Sequence, residues 1–379
     1  MGFEAIFAGH KPRVFGQPFY AGWGLTEDEF PVQRRQRTLT RAQIFAAAMI
    51  LYPKWYDPHR DQLCDLDTAI NMMEAQSRAW REDHNGWVAS GMRLWKRRPL
   101  QRFFGKWNPV TFSDDTAAAV NSDKRVMFWA GKAAPGQTDI WRVEDGFLRS
   151  RGLGADLVPP LSLVCDDLGI YYDPSRASRL EEWINKRLQL RPDQMQRATR
   201  LIAALREKGL SKYNLGGPAE WSGLPEGRRI LVPGQVEDDA SIKTGTTSIS
   251  TNLGLLQAVR AANPDAVILY KPHPDVEAGL RQGEIEAEGI ADRILHHADP
   301  VALLPYVDEV WTMTSLLGFE ALLRGVKVVT LGAPFYAGWG LTEDRGDVPA
   351  RRLTNVTLEG LVHAALIDYP RYFDPLSGL

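Results

Sequence analysis

The stretch GFEAIFAGHKPRVFGQPFYAGWGLTED at residues 2–28 returns as GFEALLRGVKVVTLGAPFYAGWGLTED at 318–344, and the block PFYAGWGLTED within it is identical in both places. The similarity continues, more weakly, to Tyr52-Pro53 against Tyr369-Pro370 and Asp57-Pro58 against Asp374-Pro375. A spacing of 316 residues between Gly2 and Gly318 is far beyond a solenoid unit of roughly 20–50 residues, so the repeating object is a whole two-domain module. What precedes Gly318 has no counterpart ahead of Gly2. Residues 1–58 therefore read as the tail of an upstream module, followed by a helical connector over 59–110 with no strand pattern, a first α/β domain over 111–225 and a second over 226–379. A chain of 379 residues suits two cores, since single cores rarely exceed ~250–300 residues.

Composition narrows the classes. Hydrophobic residues at 44% and charged residues at 24% are ordinary for a globular protein, and no apolar run is long enough to span a bilayer. A formal net charge of -2 offers no global field for nucleic acid, so anion binding must come from local clusters. Two cysteines, Cys64 and Cys165, exclude a disulfide framework and fit a reducing cytoplasm. The N-terminus lacks a signal-peptide pattern. Trp80-Arg81 and Trp95-Lys96 give local amphipathic character suited to a peripheral position at a membrane face.

Segments 39–52 and 355–369 each carry a Thr near the start, an apolar stripe at helical spacing and a Tyr-Pro stop, and each predicts a helix closing a module. The first domain predicts strands at 125–131, 140–143 and 161–165, then two helices over 178–208 broken at Arg191-Pro192. After a turn-rich segment at 215–229, strands at 230–232, 266–270, 293–295, 309–313 and 327–331 alternate with helices at 250–262, 275–281, 301–306 and 316–324. That alternation predicts parallel sheets covered on both faces. Two such domains face each other across a cleft at the carboxyl ends of their strands, and the closing helix returns toward the first domain. The layout is the GT-B arrangement of two Rossmann-type domains, common among nucleotide-sugar glycosyltransferases.

Four polar constellations fall at strand ends. Glu144-Asp145-Gly146 precedes FLRSRGLG; adjacent carboxylates raise one another's pKa, which suits an acid or base, and Arg149, Arg151, Gly152 and Gly154 add an anion-binding character that a mere cap and turn would not need. Gln235-Val-Glu-Asp-Asp239-Ala-Ser241, with Lys243 behind it, places a carboxylate where it could attack an anomeric carbon; a solvated acidic loop is the bland alternative. Lys271-Pro-His273-Pro274 fixes an imidazole between two prolines, suited to a phosphate partner. Thr312-Met-Thr314-Ser315 opens the helix carrying Gly318 and Glu320, with hydroxyls suited either to phosphate or to plain capping. No metal motif appears, and Asp166-Asp167 reads as a strand-to-turn junction.

Together, EDGFLRSRGLG, GQVEDDAS, KPHP, TSLLGFEALLRG and PFYAGWGLTED closely resemble the KpsC-type bacterial capsular polysaccharide synthesis proteins. The resemblance implies two tandem glycosyltransferase modules, this chain being the carboxyl-terminal one with the end of its upstream partner. It implies transfer of Kdo (3-deoxy-D-manno-oct-2-ulosonic acid) from CMP-β-Kdo with retention. The acceptor would be a Kdo-terminated phosphatidylglycerol glycolipid, the bond β-(2→7), the cofactor requirement nil, and the place the inner face of the cytoplasmic membrane. On the family pattern His273 and Pro274 form an HP motif and Ser315 a serine motif. Retention by double displacement needs a carboxylate nucleophile and a separate acid/base, which implies Asp239 (or Asp238) and Glu144 (or Asp145). Gln235 and Ser241 would flank the nucleophile, with Lys271, Thr314 and Glu320 near CMP. Arg149, Arg151 and Lys243 would hold the Kdo carboxylate. The readings that compete with this one are a UDP-sugar epimerase or inverting transferase, and an inactive module that binds lipid or a partner.

Overall fold

The computed structural model describes the chain apart from residues 116–122, 135–136, 153–156, 215, 217–222, 377 and 379. Gly154 and much of the turn-rich segment thus lie outside the described residues. The chain divides into two compact units, Met1–Glu82 with Asp374–Leu379, and Asp83–Phe373.

The first unit holds helix Gly2–Phe7, a short parallel pairing of Arg13–Val14 with Glu27–Asp28, helix Arg41–Phe45 and the hairpin Trp55–Asp57/Gln62–Cys64. Thr40 caps Arg41–Phe45 through the Gln43 N–H, and the helix widens into a π-helical turn at Ala46–Leu51. The second copy repeats this, with Thr357 capping Leu358–Val362 and a π turn at His363–Asp368.

The identical block is a self-bonded turn, which explains its invariance between the copies. Asp28 accepts the Gly22 N–H at 2.8 Å and the Thr26 hydroxyl at 2.7 Å; Asp344 accepts the Gly338 N–H at 2.9 Å and the Thr342 hydroxyl at 2.6 Å. Trp23 and Trp339 each donate Nε1–H to the carbonyl four residues back at 2.8 Å. Gly22 and Gly24, like Gly338 and Gly340, have φ between +76° and +89°, a region that side chains with a Cβ avoid. The two copies differ in cover. Phe335 and Tyr369 are 4% and 5% exposed, whereas their counterparts Phe19 and Tyr52 are 55% and 90% exposed.

The second unit contains two six-stranded sheets. One runs Arg293–Ile294, Val267–Lys271, Arg229–Pro233, Glu309–Thr312, Lys327–Thr330, Glu343–Asp344, every pair parallel. Its strands are apolar runs buried on both faces, as a sheet covered by helices requires. Helix Asn252–Ala262, capped by Thr251, lays Leu255, Leu256 and Val259 on one face. Helix Leu316–Leu322 covers the other.

The other sheet runs Pro370–Tyr372, Ser162–Asp166, Trp141–Asp145, Arg125–Trp129, Trp87–Ser90, Thr111–Ser113. It is mixed, not parallel: Ser162–Asp166 is antiparallel to both of its neighbours. The expectation of a strand-free connector over 59–110 also needs correcting. Helix Leu66–Asp83 ends the first unit, but Trp87–Ser90 is an inner strand of this sheet, with helix Leu94–Phe104 packed on it through Leu100, Phe103 and Phe104. Four residues flanked by Trp/Arg-rich helix carry no periodicity to read; their pairing on both sides makes them a strand.

The closing helix does return to the first domain. Leu361, Val362 and Ala365 share a core with Leu180 and Ile184 of helix Arg179–Lys186 and Ile202 and Leu205 of helix Pro192–Glu207. Arg187 pairs with Asp368 through two hydrogen bonds, at 2.7 and 2.8 Å, and His363 adds a third at 2.7 Å. All three side chains are largely buried. Removing one member of such a cluster strands a buried charge, a cost of about 3–5 kcal/mol. Asp368→Ala is expected to lose stability of that order in urea unfolding; a loss below about 1 kcal/mol would show that this lock does not hold the closing helix.

Candidate functional site

In the parallel sheet, Arg229–Pro233 lies between Val267–Lys271 on one side and Glu309–Thr312 on the other, so the chain reverses its winding direction there. A crevice opens at such a switch point, outside the carboxyl ends of the strands. A cavity of about 350 Å³ occupies it. Glu144, Asp145, Gln235, Asp239, Ser241, Lys271, His273, Pro274, Thr314, Ser315 and Glu320 all line it, gathering residues of both domains around one space.

Glu144 and Asp145 end strand Trp141–Asp145. Burial and the neighbouring Asp145 charge push the Glu144 carboxyl up to about 8, against a smaller pull from Lys96 and Lys212. Asp145 is held differently: the Arg149 guanidinium donates to it at 2.6 Å. Two adjacent carboxyls thus acquire different characters, one neutral near pH 7 and one charge-paired.

Asp239 caps helix Ala240–Gly245, its Oδ2 accepting the Ser241 N–H at 3.1 Å and the Ser241 hydroxyl at 2.7 Å. Asp238 instead faces Arg281, at 2.8 Å, and is half-exposed. Of the two, Asp239 is the one lining the cavity.

Gln235 is a clamp whose side-chain oxygen and one amide N–H are taken up inside the protein. Its Oε1 accepts the Thr312 hydroxyl at 3.1 Å and the Thr314 N–H at 3.0 Å, and its Nε2 donates to Thr314 at 2.9 Å. Its backbone pairs with the Asn252 amide in both directions at 2.8 Å. The ends of the two switch-point strands are thereby tied together, and Thr314 reaches Ser241 at 3.4 Å.

His273 caps helix Pro274–Glu277, its Nδ1 accepting the Asp275 N–H at 3.1 Å. Nδ1 being the acceptor, the neutral ring carries its proton on Nε2. Burial lowers its pKa to about 4, so the imidazole stays a neutral donor at pH 7. Ser315 caps helix Leu316–Leu322. Lys271 lines the cavity, but its ammonium is buried against Glu277 at 2.7 Å.

The cations expected to hold a carboxylate are elsewhere. Arg149 is fully buried, spent on Asp145 and on Ser150 Oγ at 2.8 Å. Arg151 and Lys243 are exposed and line no part of the cavity. A basic loop next to carboxylates looked like an anion site; the structure uses its one buried arginine as the carboxylate's own counter-charge. The cavity's lining includes a cation the sequence reading missed, Lys212. The signal was its place at the junction of the two domains, where a linker must cross the mouth of the crevice. Asp166 and Asp167 form the junction expected of them: Asp166 accepts the N–H groups of Leu168, Gly169 and Arg179 and the Tyr369 hydroxyl, and Asp167 pairs with Arg179.

Two α/β sheets sharing one cleft, with strand-end carboxylates from one facing a carboxylate, an imidazole and hydroxyls from the other, define a GT-B-like protein. The chain belongs to the capsule polysaccharide biosynthesis protein family, whose model matches residues 1–54, 121–216 and 224–372. It is 42% identical to the capsule polysaccharide modification protein LipA of Neisseria meningitidis serogroup B over 99% of its length, spanning 56% of that protein. It is 42% identical to the lipopolysaccharide-processing protein LpsZ of Rhizobium meliloti, covering 74% of this chain and 69% of that one. Among solved structures it resembles the β-Kdo 2,7 transferase of Thermosulfurimonas dismutans KpsC (36% identity, TM-score 0.63, 77% of this chain and 94% of that one). It also resembles the β-Kdo 2,4 transferase of the same protein (33% identity, TM-score 0.69, 78% and 94%). No described helix is long and apolar enough to cross a membrane.

Proposed function

We propose that this chain is a retaining β-Kdo transferase that uses CMP-β-Kdo and extends a Kdo-terminated glycolipid in capsule assembly. The observation that carries it is the placement of Glu144 and Asp239, from different domains, on the wall of one cavity that His273 and Ser315 also line.

In the first step an Asp239 oxygen attacks the anomeric carbon, and the bond from that carbon to the phosphate oxygen breaks, its electron pair leaving with CMP. Glu144, neutral near pH 7, gives its proton to the departing oxygen. In the second step the acceptor hydroxyl attacks the same carbon, displaces Asp239 and passes its proton to the Glu144 carboxylate. Two inversions give retention. His273, as a neutral Nε2–H donor, and the hydroxyls of Ser315 and Thr314 would receive the phosphate, so the proposal needs no metal. Ser241 holds the nucleophile's second oxygen in place.

For the linkage we follow sequence identity, which favours the 2,7 enzyme, over superposition, which favours the 2,4 enzyme. Side chains at the acceptor site choose the hydroxyl, whereas overall superposition weighs backbone everywhere. The exposed aromatic face of the first unit, whose counterpart is buried in the second copy, supports an upstream module as its cover. The phosphatidylglycerol anchor and a position at the inner membrane face belong to the same proposal.

Incubation with CMP-Kdo and a synthetic Kdo-terminated acceptor, followed by NMR, is expected to give a β-(2→7) product. An α-linked product, or calorimetric preference for UDP over CMP, would remove the reading.

A further inference from the structure

The cavity is lined by Asp145, Asp239, Asp275 and Asp299 beside the raised carboxyls of Glu144 and Glu320, a poor place for an anionic ligand unless a cation is present. Of its basic side chains, Lys271 is bound to Glu277 at 2.7 Å and Arg281 to Asp238 at 2.8 Å. His273 is neutral. Among the described residues Lys212 is the lining cation with no carboxylate in salt-bridge contact; its ammonium has the Tyr213 side chain beside it.

The backbone around Lys212 is built to present it. Its N–H donates to the buried Glu320 carboxylate at 2.8 Å, and its carbonyl accepts the N–H groups of Arg149 at 3.0 Å and Ser150 at 3.2 Å. The next carbonyl, of Tyr213, accepts the Gly152 N–H at 2.8 Å, and Asn214, at φ 48°, closes the loop through its side chain onto the Ser150 carbonyl at 2.9 Å. Elements of both domains thus grip the main chain of an interdomain linker while leaving the side chain to the cavity.

We propose that Lys212 is the specificity-determining cation of the site, holding the carboxylate borne on the anomeric carbon of an acidic donor sugar. The assignment rests on the Kdo reading above. Two groups the ammonium feels are Asp145, next to the proposed acid/base Glu144, and Asp239, the proposed nucleophile from the other domain. The sugar's carboxylate is bonded directly to the anomeric carbon, whereas His273 and Ser315, which line the cavity from other elements, would face the phosphate. Such carboxylates would repel a third; a lining lysine whose charge reaches both turns the position into one that selects a 2-keto acid sugar over a neutral hexose.

The test uses two unreactive probes, the 2-deoxy analogue of β-Kdo and its carboxamide, titrated against the whole chain, Lys212→Met and Lys212→Arg. The wild type is expected to prefer the acid by about tenfold to a hundredfold, the range for a charge-assisted hydrogen bond. Lys212→Met is expected to bind both alike, Lys212→Arg to keep part of the preference, and all three to bind CMP within about threefold of one another. CMP affinity also reports that each variant is folded at the site. Equal preference for the acid in wild type and Lys212→Met overturns the assignment and leaves the Kdo reading standing. A fall in CMP affinity as large as that for the acid makes Lys212 a phosphate ligand and also overturns it. If the wild type binds neither probe while binding CMP, the Kdo reading itself fails and takes the assignment with it.

Discussion

Asp239→Asn is expected to abolish transfer, by at least about 10⁴-fold in kcat, with the protein folded as before. The magnitude is that of losing a residue whose bond to the substrate defines the pathway. Asparagine is chosen because it caps a helix as well as aspartate does. Its carbonyl oxygen can still accept the Ser241 N–H and hydroxyl that Asp239 accepts at 3.1 and 2.7 Å. The structural duty of the residue is therefore kept and only its nucleophilicity removed. An unchanged melting transition together with lost turnover assigns Asp239 to the chemistry. Intact-mass spectrometry of the wild type with CMP-Kdo and no acceptor should further show a covalent Kdo adduct, absent from Asp239→Asn. Turnover within tenfold of wild type in that variant would transfer the role to another carboxylate, and Glu144 would be the first to examine.

Most of the parallel sheet could be read from sequence because its strands are short apolar runs closed by turn residues, and its helices announce themselves with hydroxyl caps. Thr251, Ser315 and Thr357 all cap where a pattern of Ser/Thr before an apolar stripe places them. The other sheet was less legible. Trp87–Ser90 is defined by its partners on either side, and Pro370–Tyr372 joins at an edge, where a proline's missing N–H costs no ladder bond. Both are consequences of long-range pairing that no local window contains.

The site divides along the same line. Carboxylates, the histidine and the hydroxyls follow strands and helix starts, so motif and position located them together. Cations did not follow. Arg149 and Lys212 lie 63 residues apart in sequence, and which of them reaches the cavity depends on how the linker crosses between domains. Gln235 looked like a neighbour of the nucleophile, and the fold makes it the tie between two strand ends instead.

Glu144→Gln separates the two halves of the proposed mechanism through pH. Burial and the Asp145 charge hold the Glu144 carboxyl at about 8, so at neutral pH the resting enzyme carries the proton that the first step delivers. The sign follows directly: the competent, protonated form prevails below about pH 8 and is lost as pH rises through that value. Wild-type kcat/KM is therefore expected to show a falling alkaline limb near pH 8. Glutamine cannot transfer a proton, so the variant should lose about 10²–10⁴-fold and its profile should be flat through the same range. The raised pKa is expected to survive in Asp145→Asn only in part, because the variant removes the like charge but keeps the burial. Its alkaline limb should move to lower pH. An unmoved limb in Asp145→Asn, or one that persists in Glu144→Gln, would place the titrating group elsewhere.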